Sequence, residues 1–213
     1  MSILQEISQS LQSGKAKVVK ELVQKALDDG VNPASILNEG LLAGMDVIGN
    51  KFKNNEVYVP EVLIAARAMN QGLEILKPVL ADQGVKPIGR VILGTVKGDL
   101  HDIGKNLVRM MMEGKGIEVV DAGVDVSAEK FYEEYEKHGG ADIIALSALL
   151  TTTMNEMKNV VDFFTEKGVR DKVKVMVGGA PITDSFCKSI GADHYAADAA
   201  TAADIAKSIV QGA

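Results

Sequence analysis

The sequence lacks the patterns that mark secreted and membrane proteins. It has one cysteine, Cys187, so no disulfide can form within the chain, as is usual in a reducing compartment. No run approaches the ~20 apolar residues that span a bilayer. The start, Met-Ser-Ile-Leu-Gln-Glu, has no basic region followed by an apolar core, so it predicts no secretory signal. We therefore expect a cytoplasmic protein without a membrane partner, with Cys187 as a buried structural thiol.

Dense positive charge and tryptophan are missing as well. Lys and Arg number 23 against 29 Asp and Glu, a net charge of −6, and no stretch is basic enough to form a phosphate-binding patch. We expect no nucleic-acid partner. What is present is an ordinary globular composition, with 46% apolar residues in a chain of 213. That length allows one sizeable core or two small ones.

The chain changes rhythm near residue 87. Before it, apolar residues recur every three or four positions, which predicts a bundle of four helices over residues 2–12, 15–29, 33–52 and from 60 to about 80. After it, short apolar runs alternate with helical segments. Strands are predicted at 90–96, 117–120, 142–147, 173–177 and 194–197, and helices at 103–113, 128–138, 154–167, 182–190 and 199–211.

This alternation predicts a flavodoxin/Rossmann-like, five-stranded parallel sheet with flanking helices. The expected domains are a helical bundle cap at 1–86 and an α/β domain at 87–213, with a linker at 81–89 that contains Gly84, Pro87 and Gly89. Ligands of such folds bind at the carboxyl ends of the strands, so the informative residues should follow each strand.

The first predicted strand is followed by an Asp-x-His-x-x-Gly pattern, made by Asp99, His101 and Gly104. A neutral imidazole is a good ligand for a first-row transition metal. Such a histidine usually donates its other ring N–H to a carboxylate, which fixes the tautomer. Alone, the pattern also fits a loop histidine satisfied by a neighbouring aspartate. Its place at a strand end favours a ligand.

Two other predicted strands end in suggestive loops. Ser147-Ala-Leu149-Leu-Thr151-Thr-Thr153 follows the third, and Gly178-Gly179 follows the fourth. Thr153 is also a good candidate for the cap of the next helix, and a glycine pair is common in an ordinary strand-to-helix turn. No Gly-x-Gly-x-x-Gly follows the first strand, so a dinucleotide site has no support.

Taken together, these motifs resemble the cobalamin-binding module of methionine synthase and of small corrinoid proteins of methyltransferase systems. The stretch from Gly94 to Asn106, the Ser-x-Leu loop and the Gly-Gly loop occur in the family's order, and Gly44-Met45, Phe52 and Val59-Pro60 resemble its helical cap. The likeness covers nearly the whole chain.

The resemblance implies a cobalamin-type corrinoid with His101 as the axial cobalt ligand, and a ligand relay through Asp99 and Thr153. It also implies other cofactor-binding residues, which in chain order are Met45, Phe52, Val59, Val62, Gly98, Asp102, Ile103, Gly104, Ser147, Leu149, Thr151, Gly178, Gly179 and Ala199. The four in the cap would cover the upper face of the corrin ring. Met and Phe at helical spacing also fit an ordinary bundle core.

The activity implied is that of a methyl carrier, which shuttles a methyl group through Co(I) and methyl-Co(III) and has no catalytic residues of its own. Implied partners are a substrate:corrinoid methyltransferase, an acceptor methyltransferase that uses tetrahydrofolate or a thiol, and a reductive activator. Two alternatives share the cofactor module: a cobalamin-binding sensor or regulator, and the small subunit of a carbon-skeleton mutase. The methyl donor cannot be read from the sequence.

Overall fold

A computed structural model describes residues 1–212 of the chain. They divide into two compact units. A helical unit comprises Met1–Pro87 together with Gly114–Gly116, and an α/β unit comprises Ile88–Glu113 and the residues from Ile117 onward. The division falls after Pro87, where we placed it after residue 86.

The helical unit contains the four predicted helical segments, one of them irregular. Its elements are α1 (Ile3–Gln12), α2 (Ala16–Asp28), α3 (Pro33–Ser35), a π-helical segment (Ile36–Leu42), α4 (Ala43–Lys53) and α5 (Val59–Asp82). Ser2 and Gln5 form a capping box at the start of α1, and Asn32 caps α3 through a 2.8 Å bond from the Ala34 amide. The third predicted helix is continuous, because α3, the π-helical segment and α4 follow one another without a gap. Its middle part is π-helical.

Apolar side chains alone fill the interior of the helical unit. The helices and the π-helical segment turn apolar faces inward, where they bury Ile7, Leu11, Val19, Val23, Ile36, Leu41, Met45, Ile48, Val62, Met69 and Leu76. Gly72 of α5 lets the helices approach closely, since a Cβ there would lie 2.9 Å from Leu41 Cδ2. The unit is thus held together by hydrophobic packing.

The α/β unit is a parallel sheet covered by helices, as predicted. Its elements are β1 (Arg90–Val96), α6 (Ile103–Glu113), β2 (Glu118–Val126), α7 (Ala128–Lys137), β3 (Ile143–Ser147), α8 (Met154–Glu166), β4 (Lys174–Gly178), α9 (Asp184–Ser189), β5 (His194–Ala196) and α10 (Ala199–Val210). The strand order within the described residues is β2-β1-β3-β4-β5. This is the flavodoxin-like order, whose switch point lies between β1 and β3.

A predicted strand boundary next to the site is wrong, and the end of one helix differs slightly from the prediction. The second strand was expected to end at Val120, but β2 continues to Val126 along the edge of the sheet. Its partner β1 has register shifts on either side of Gly94, so the pairing is irregular there. The fourth long helix was expected to give way to the linker at Ala81, but α5 continues to Asp82.

The α/β unit has its own apolar core on the side of the sheet that α7 and α8 cover. Phe131 and Phe164 are fully buried there. Cys187 is 2% exposed, and burial raises the pKa of its thiol, with Asp184 and Asp193 adding to the rise. These properties are those of a structural thiol. No helix within residues 1–212 has the length and apolar character needed to cross a membrane.

Candidate functional site

The loop between β1 and α6 sets a half-exposed histidine beside a fully buried carboxylate. Asp99 is 0% exposed, whereas the His101 side chain is 51% exposed. Asp99 Oδ1 lies 2.7 Å from His101 Nδ1 and accepts a second hydrogen bond, of 3.1 Å, from the His101 amide. An ionised carboxylate can only accept, so Nδ1 carries the proton. A neutral ring then keeps its lone pair on Nε2, the state needed to bind a metal.

The other oxygen of Asp99 is held by the loop that follows β3. Asp99 Oδ2 accepts from the amides of Leu149, at 2.7 Å, and Leu150, at 3.1 Å. The Thr153 hydroxyl lies 3.1 Å from the same oxygen. The three residues that we predicted to work together, Asp99, His101 and Thr153, therefore share one hydrogen-bonded cluster at the carboxyl ends of β1 and β3.

These hydrogen bonds keep Asp99 ionised despite its burial. Burial alone would raise the pKa of the carboxyl. Hydrogen bonds from the Leu149 amide, the His101 ring and the amides of His101 and Leu150 outweigh that effect and hold the pKa of Asp99 far below its usual range. The cluster thus contains a buried negative charge on Asp99. Of the four groups just named, the His101 ring is the ionisable one.

Thr153 stands at the N-cap position of α8, but its side chain makes no capping bond. Its hydroxyl instead reaches Asp99 Oδ2 and the Leu150 carbonyl, which lies 2.9 Å away. A hydroxyl has one proton and two acceptors within reach here, so it can turn between them. The capping role that the sequence also allowed is therefore not the one its side chain takes.

The glycines of the site allow close backbone contacts. A Cβ at Gly179 would collide with the carbonyl oxygen of Ala148, and its φ of 130° is one that residues with side chains rarely adopt. A Cβ at Gly178 would lie 3.1 Å from the Ala196 carbonyl oxygen. The Gly-Gly loop thus joins β4 tightly to its neighbours. By contrast, Gly104 has open space beside it.

Large apolar side chains are exposed around the same cluster. Leu100 is 71% exposed and Ile103 75% exposed, and Leu149 and Leu150 are about two-fifths exposed. Exposed apolar patches on a folded protein usually mark a binding surface. A flat, largely apolar macrocycle with a metal at its centre fits a half-exposed imidazole ringed by such side chains, so the residues present suit a corrinoid.

The remaining predicted residues lie in several places. Asp102 is exposed and accepts a 3.1 Å bond from the Asn106 amide group. Ser147 ends β3 half-buried, Thr151 is exposed, and Ala199 is buried at the start of α10. In the helical unit, Met45 and Val62 are buried core residues, whereas Phe52 and Val59 are partly exposed.

Polar residues that no sequence pattern pointed to hold the loop and the helix after it. Thr95 Oγ1 donates to the His101 carbonyl at 2.8 Å. Lys105 on α6 is buried and lies 2.6 Å from Asp121 on β2, which also contacts Arg109. Asp125, at the end of β2, bonds the Gly98 amide. No local pattern indicated the pair of Lys105 and Asp121, because the two residues are 16 positions apart.

Comparisons with known proteins indicate the same class of cofactor. A family described as a B12 binding domain matches residues 89–204, and a second B12 binding domain family matches residues 3–77. A corrinoid protein from Desulfitobacterium hafniense is 41% identical over 99% of this chain and 98% of its own. Dimethylamine corrinoid protein 2 from Methanosarcina acetivorans is 42% identical over 99% and 97%.

A solved structure is similar along almost the whole chain. It is the methanol:cobalamin methyltransferase complex MtaBC from Methanosarcina barkeri, with a TM-score of 0.88 and 31% identity over 99% of this chain and 80% of that one. The fold and the site define a corrinoid-binding chain. It belongs to the B12-binding family, together with the corrinoid proteins of methyltransferase systems, and its cofactor is a cobalamin-type corrinoid.

Proposed function

We propose that this chain is a cytoplasmic corrinoid methyl carrier, which receives a methyl group from a substrate-specific methyltransferase and delivers it to an acceptor methyltransferase. The observation that carries the proposal is the pairing of the half-exposed His101 ring with the buried, ionised Asp99. The names of the relatives support it, since they include dimethylamine corrinoid proteins and a methanol:cobalamin methyltransferase complex.

His101 is the proposed axial ligand of cobalt. When bound, the corrinoid supplies a cobalt centre that takes up a methyl group in its reduced state and gives it to an acceptor. The chain's part is to present one imidazole nitrogen in a fixed orientation. The 2.7 Å contact between Asp99 Oδ1 and His101 Nδ1 does this, because it fixes both the tautomer and the plane of the ring.

Asp99 and Thr153 are the proposed ligand relay. Asp99 contacts the histidine through one oxygen and the Thr153 hydroxyl through the other. Since that hydroxyl has a second acceptor in the Leu150 carbonyl, it can leave Asp99 without losing a partner. The strength with which Asp99 polarises the ring would then vary with the position of one hydroxyl proton.

The loops around the cluster are proposed to hold the rest of the cofactor. Ser147, Leu149 and Thr151 would line the nucleotide tail, and the Gly178-Gly179 loop would lie beside it, with Ala199 closing that pocket. Leu100 and Ile103 are the most exposed large apolar residues of the α/β unit and would contact the corrin. Met45, Phe52, Val59 and Val62 are proposed to form the cover of its upper face.

The proposed partners are a substrate:corrinoid methyltransferase, an acceptor methyltransferase that uses tetrahydrofolate or a thiol, and a reductive activator. A cover over the methyl face must move for a partner to reach it. The hinge we propose is the linker, whose residues from Ala81 to Ile88 are all exposed.

The test is a methyl-transfer assay with the full chain reconstituted with a corrinoid under reducing conditions. Each methyltransferase encoded near its gene is added with its methyl donor, and the absorption spectrum of the cofactor is followed. A carrier should give the methyl-cobalt spectrum with one such pair and lose it when the acceptor methyltransferase is added. Corrinoid binding without methylation by any of them, together with a shift of DNA mobility or support of a mutase reaction, would contradict the proposal.

A further inference from the structure

Asp125, near the end of β2, has an unusual backbone conformation. Its φ is 54°, in the left-handed region that residues with side chains seldom occupy, although Asp and Asn tolerate it best. Within residues 1–212, the other non-glycine residue with positive φ is Asn55, in the helical unit. Unfavourable backbone conformations persist where the surrounding structure holds them in place, often at functional sites.

The contacts of Asp125 all go to the loop that carries His101. Its Oδ1 accepts from the Gly98 amide at 2.6 Å, and its own amide donates to the Asp99 carbonyl at 3.0 Å. The two-residue segment Gly98-Asp99 is therefore bonded at both ends, through its first amide and its last carbonyl, to one residue of β2. We call these two hydrogen bonds the clamp. Gly98 also has a left-handed conformation, with φ 81°, so the clamp is not an ordinary pairing between strands.

The clamp completes the support of the His101 loop. Thr95 at the end of β1 bonds the His101 carbonyl, and the loop after β3 bonds the Asp99 carboxylate. Asp125 adds the third side, from the end of β2, and bonds the Asp99 carbonyl, while the Asp99 amide bonds the Val96 carbonyl at 3.1 Å. The direction in which the Asp99 carboxylate leaves the backbone, and thus its 2.7 Å contact with the imidazole, depends on how this segment of main chain is held.

We propose that Asp125 is a positioning residue, which acts through Asp99 to hold the His101 ring in its Nδ1–H tautomer. Its relevance to cobalt ligation rests on the proposed function, but its effect on the ring does not. The left-handed conformation is what lets one residue present both its side-chain acceptor and its amide to the two ends of the segment Gly98-Asp99.

Two substitutions separate the side-chain acceptor from the backbone conformation. Asp125→Gly removes the acceptor and relieves the left-handed conformation, so any loss comes from the missing hydrogen bond. Asp125→Asn keeps a carbonyl acceptor and a residue that tolerates positive φ. Asn55→Gly is the matched control, since it relieves the same backbone conformation in the helical unit.

The readout in the protein without cofactor is the nitrogen NMR spectrum of the His101 ring, with hydrogen exchange of the Gly98 amide. Wild type, Asp125→Asn and Asn55→Gly should show one Nδ1–H tautomer. Asp125→Gly should raise the minor tautomer and the Gly98 exchange rate about tenfold, the effect of one net hydrogen bond. Wild-type tautomer and exchange in Asp125→Gly would overturn the proposal, and so would the absence of a scalar coupling between the Gly98 amide and the Asp125 carboxyl carbon in wild type.

The corrinoid-loaded protein separates this proposal from the ligand assignment. The electron paramagnetic resonance of the Co(II) state shows whether a nitrogen is bound. Asp125→Gly should lower the nitrogen-bound fraction, and Asp125→Asn should restore it. If His101→Ala leaves the spectrum unchanged, the ligand assignment fails, while the tautomer still decides the role of Asp125. If His101→Ala changes the spectrum and Asp125→Gly changes neither readout, the positioning role alone fails.

Discussion

The two units of this chain differ in what they bury. Among the described residues, the buried polar or charged ones are Thr95, Asp99, Lys105, Glu134 and Thr153, and all of them lie in the α/β unit. The buried residues of the helical unit are apolar or glycine. Burying a polar group is unfavourable unless it is hydrogen-bonded, so such groups tend to be kept where an arrangement of side chains must be specified.

The positions of four of these five residues support this interpretation, while Glu134 lies on α7 and pairs with Lys130 and Lys137. Thr95, Asp99 and Thr153 all bond His101 or one another. Lys105 lies on α6, which starts two residues after His101. The helical unit has no comparable cluster in the part that the structure describes, and its contribution is hydrophobic. Substitutions should therefore affect the two units in different ways, which the following variants can establish.

The largest effect is expected from Asp99→Ala. It leaves the amides of Leu149 and Leu150 and the imidazole N–H without their acceptor, and losing one member of a buried charged cluster typically costs about 3–5 kcal/mol. Denaturant unfolding should show this loss, and the His101 ring should lose its single tautomer. Asp99→Asn, which keeps one acceptor oxygen, is the control and should be less affected.

A change of similar size in the helical unit should leave the site alone. Leu41→Ala removes a fully buried side chain that packs beside Gly72 and should cost about 3 kcal/mol through lost contacts and a cavity. Unfolding monitored by circular dichroism measures that cost, with the partly exposed Val18→Ala as a near-neutral control. A change in the His101 tautomer in folded Leu41→Ala would contradict the division of roles.

A smaller, pH-dependent effect is expected from Asp121→Asn. Burial would raise the pKa of Asp121, but Lys105, the Gly123 amide and Arg109 outweigh it and hold the pKa below its ordinary 3.8. A carboxyl whose pKa is lower in the folded state stabilises the fold at pH values above its unfolded-state pKa. That contribution is lost as the pH falls from the unfolded-state pKa through the folded-state pKa. The Lys105 side chain is only 2% exposed, so Asp121→Asn should cost about 2 kcal/mol near neutral pH.

That difference in unfolding free energy should shrink as the pH falls below about 4, where Asp121 of the unfolded wild type becomes protonated. Unfolding curves from neutral to acid pH, for wild type and Asp121→Asn side by side, measure it. A difference that stays constant over this range would mean that the ion pair with Lys105 is not its source.

The smallest effect is expected at Thr153. Thr153→Val removes the hydroxyl shared by Asp99 and Leu150 and should cost about 1 kcal/mol, the net value of one hydrogen bond. Thr153→Ser keeps the hydroxyl and should stay near wild type. A loss in Thr153→Ser with none in Thr153→Val would show that the methyl group, and not the hydroxyl, is what the site requires.

The fold class and the core of the site were predictable because local signals agree with the global fold. The helix and strand rhythms gave the sheet and its flanking helices, and β1 and α6 have the bounds expected for them. The Asp-x-His spacing placed a carboxylate within reach of the imidazole. Both features depend on residues near one another in the sequence.

What the sequence did not reveal depends on contacts between distant residues. In β2, Asp121, Gly123 and Asp125 look like a turn after Val120, so the strand was ended too early. The carboxylates are tolerated there because Lys105 and the Gly98 amide satisfy them, 16 and 27 positions away. The π-helical turns between Ile36 and Leu42 were missed for a different reason, because helix periodicity does not separate them from α-helix.

The central claim is that the polar cluster of the α/β unit presents His101 to cobalt. The most direct test is the electron paramagnetic resonance spectrum of the Co(II) corrinoid bound to wild type and to His101→Ala. Wild type should show superhyperfine splitting from one axial nitrogen, and His101→Ala should lose it while still binding the cofactor. The same nitrogen splitting in both proteins would contradict the account, because the axial ligand would then come from somewhere other than His101.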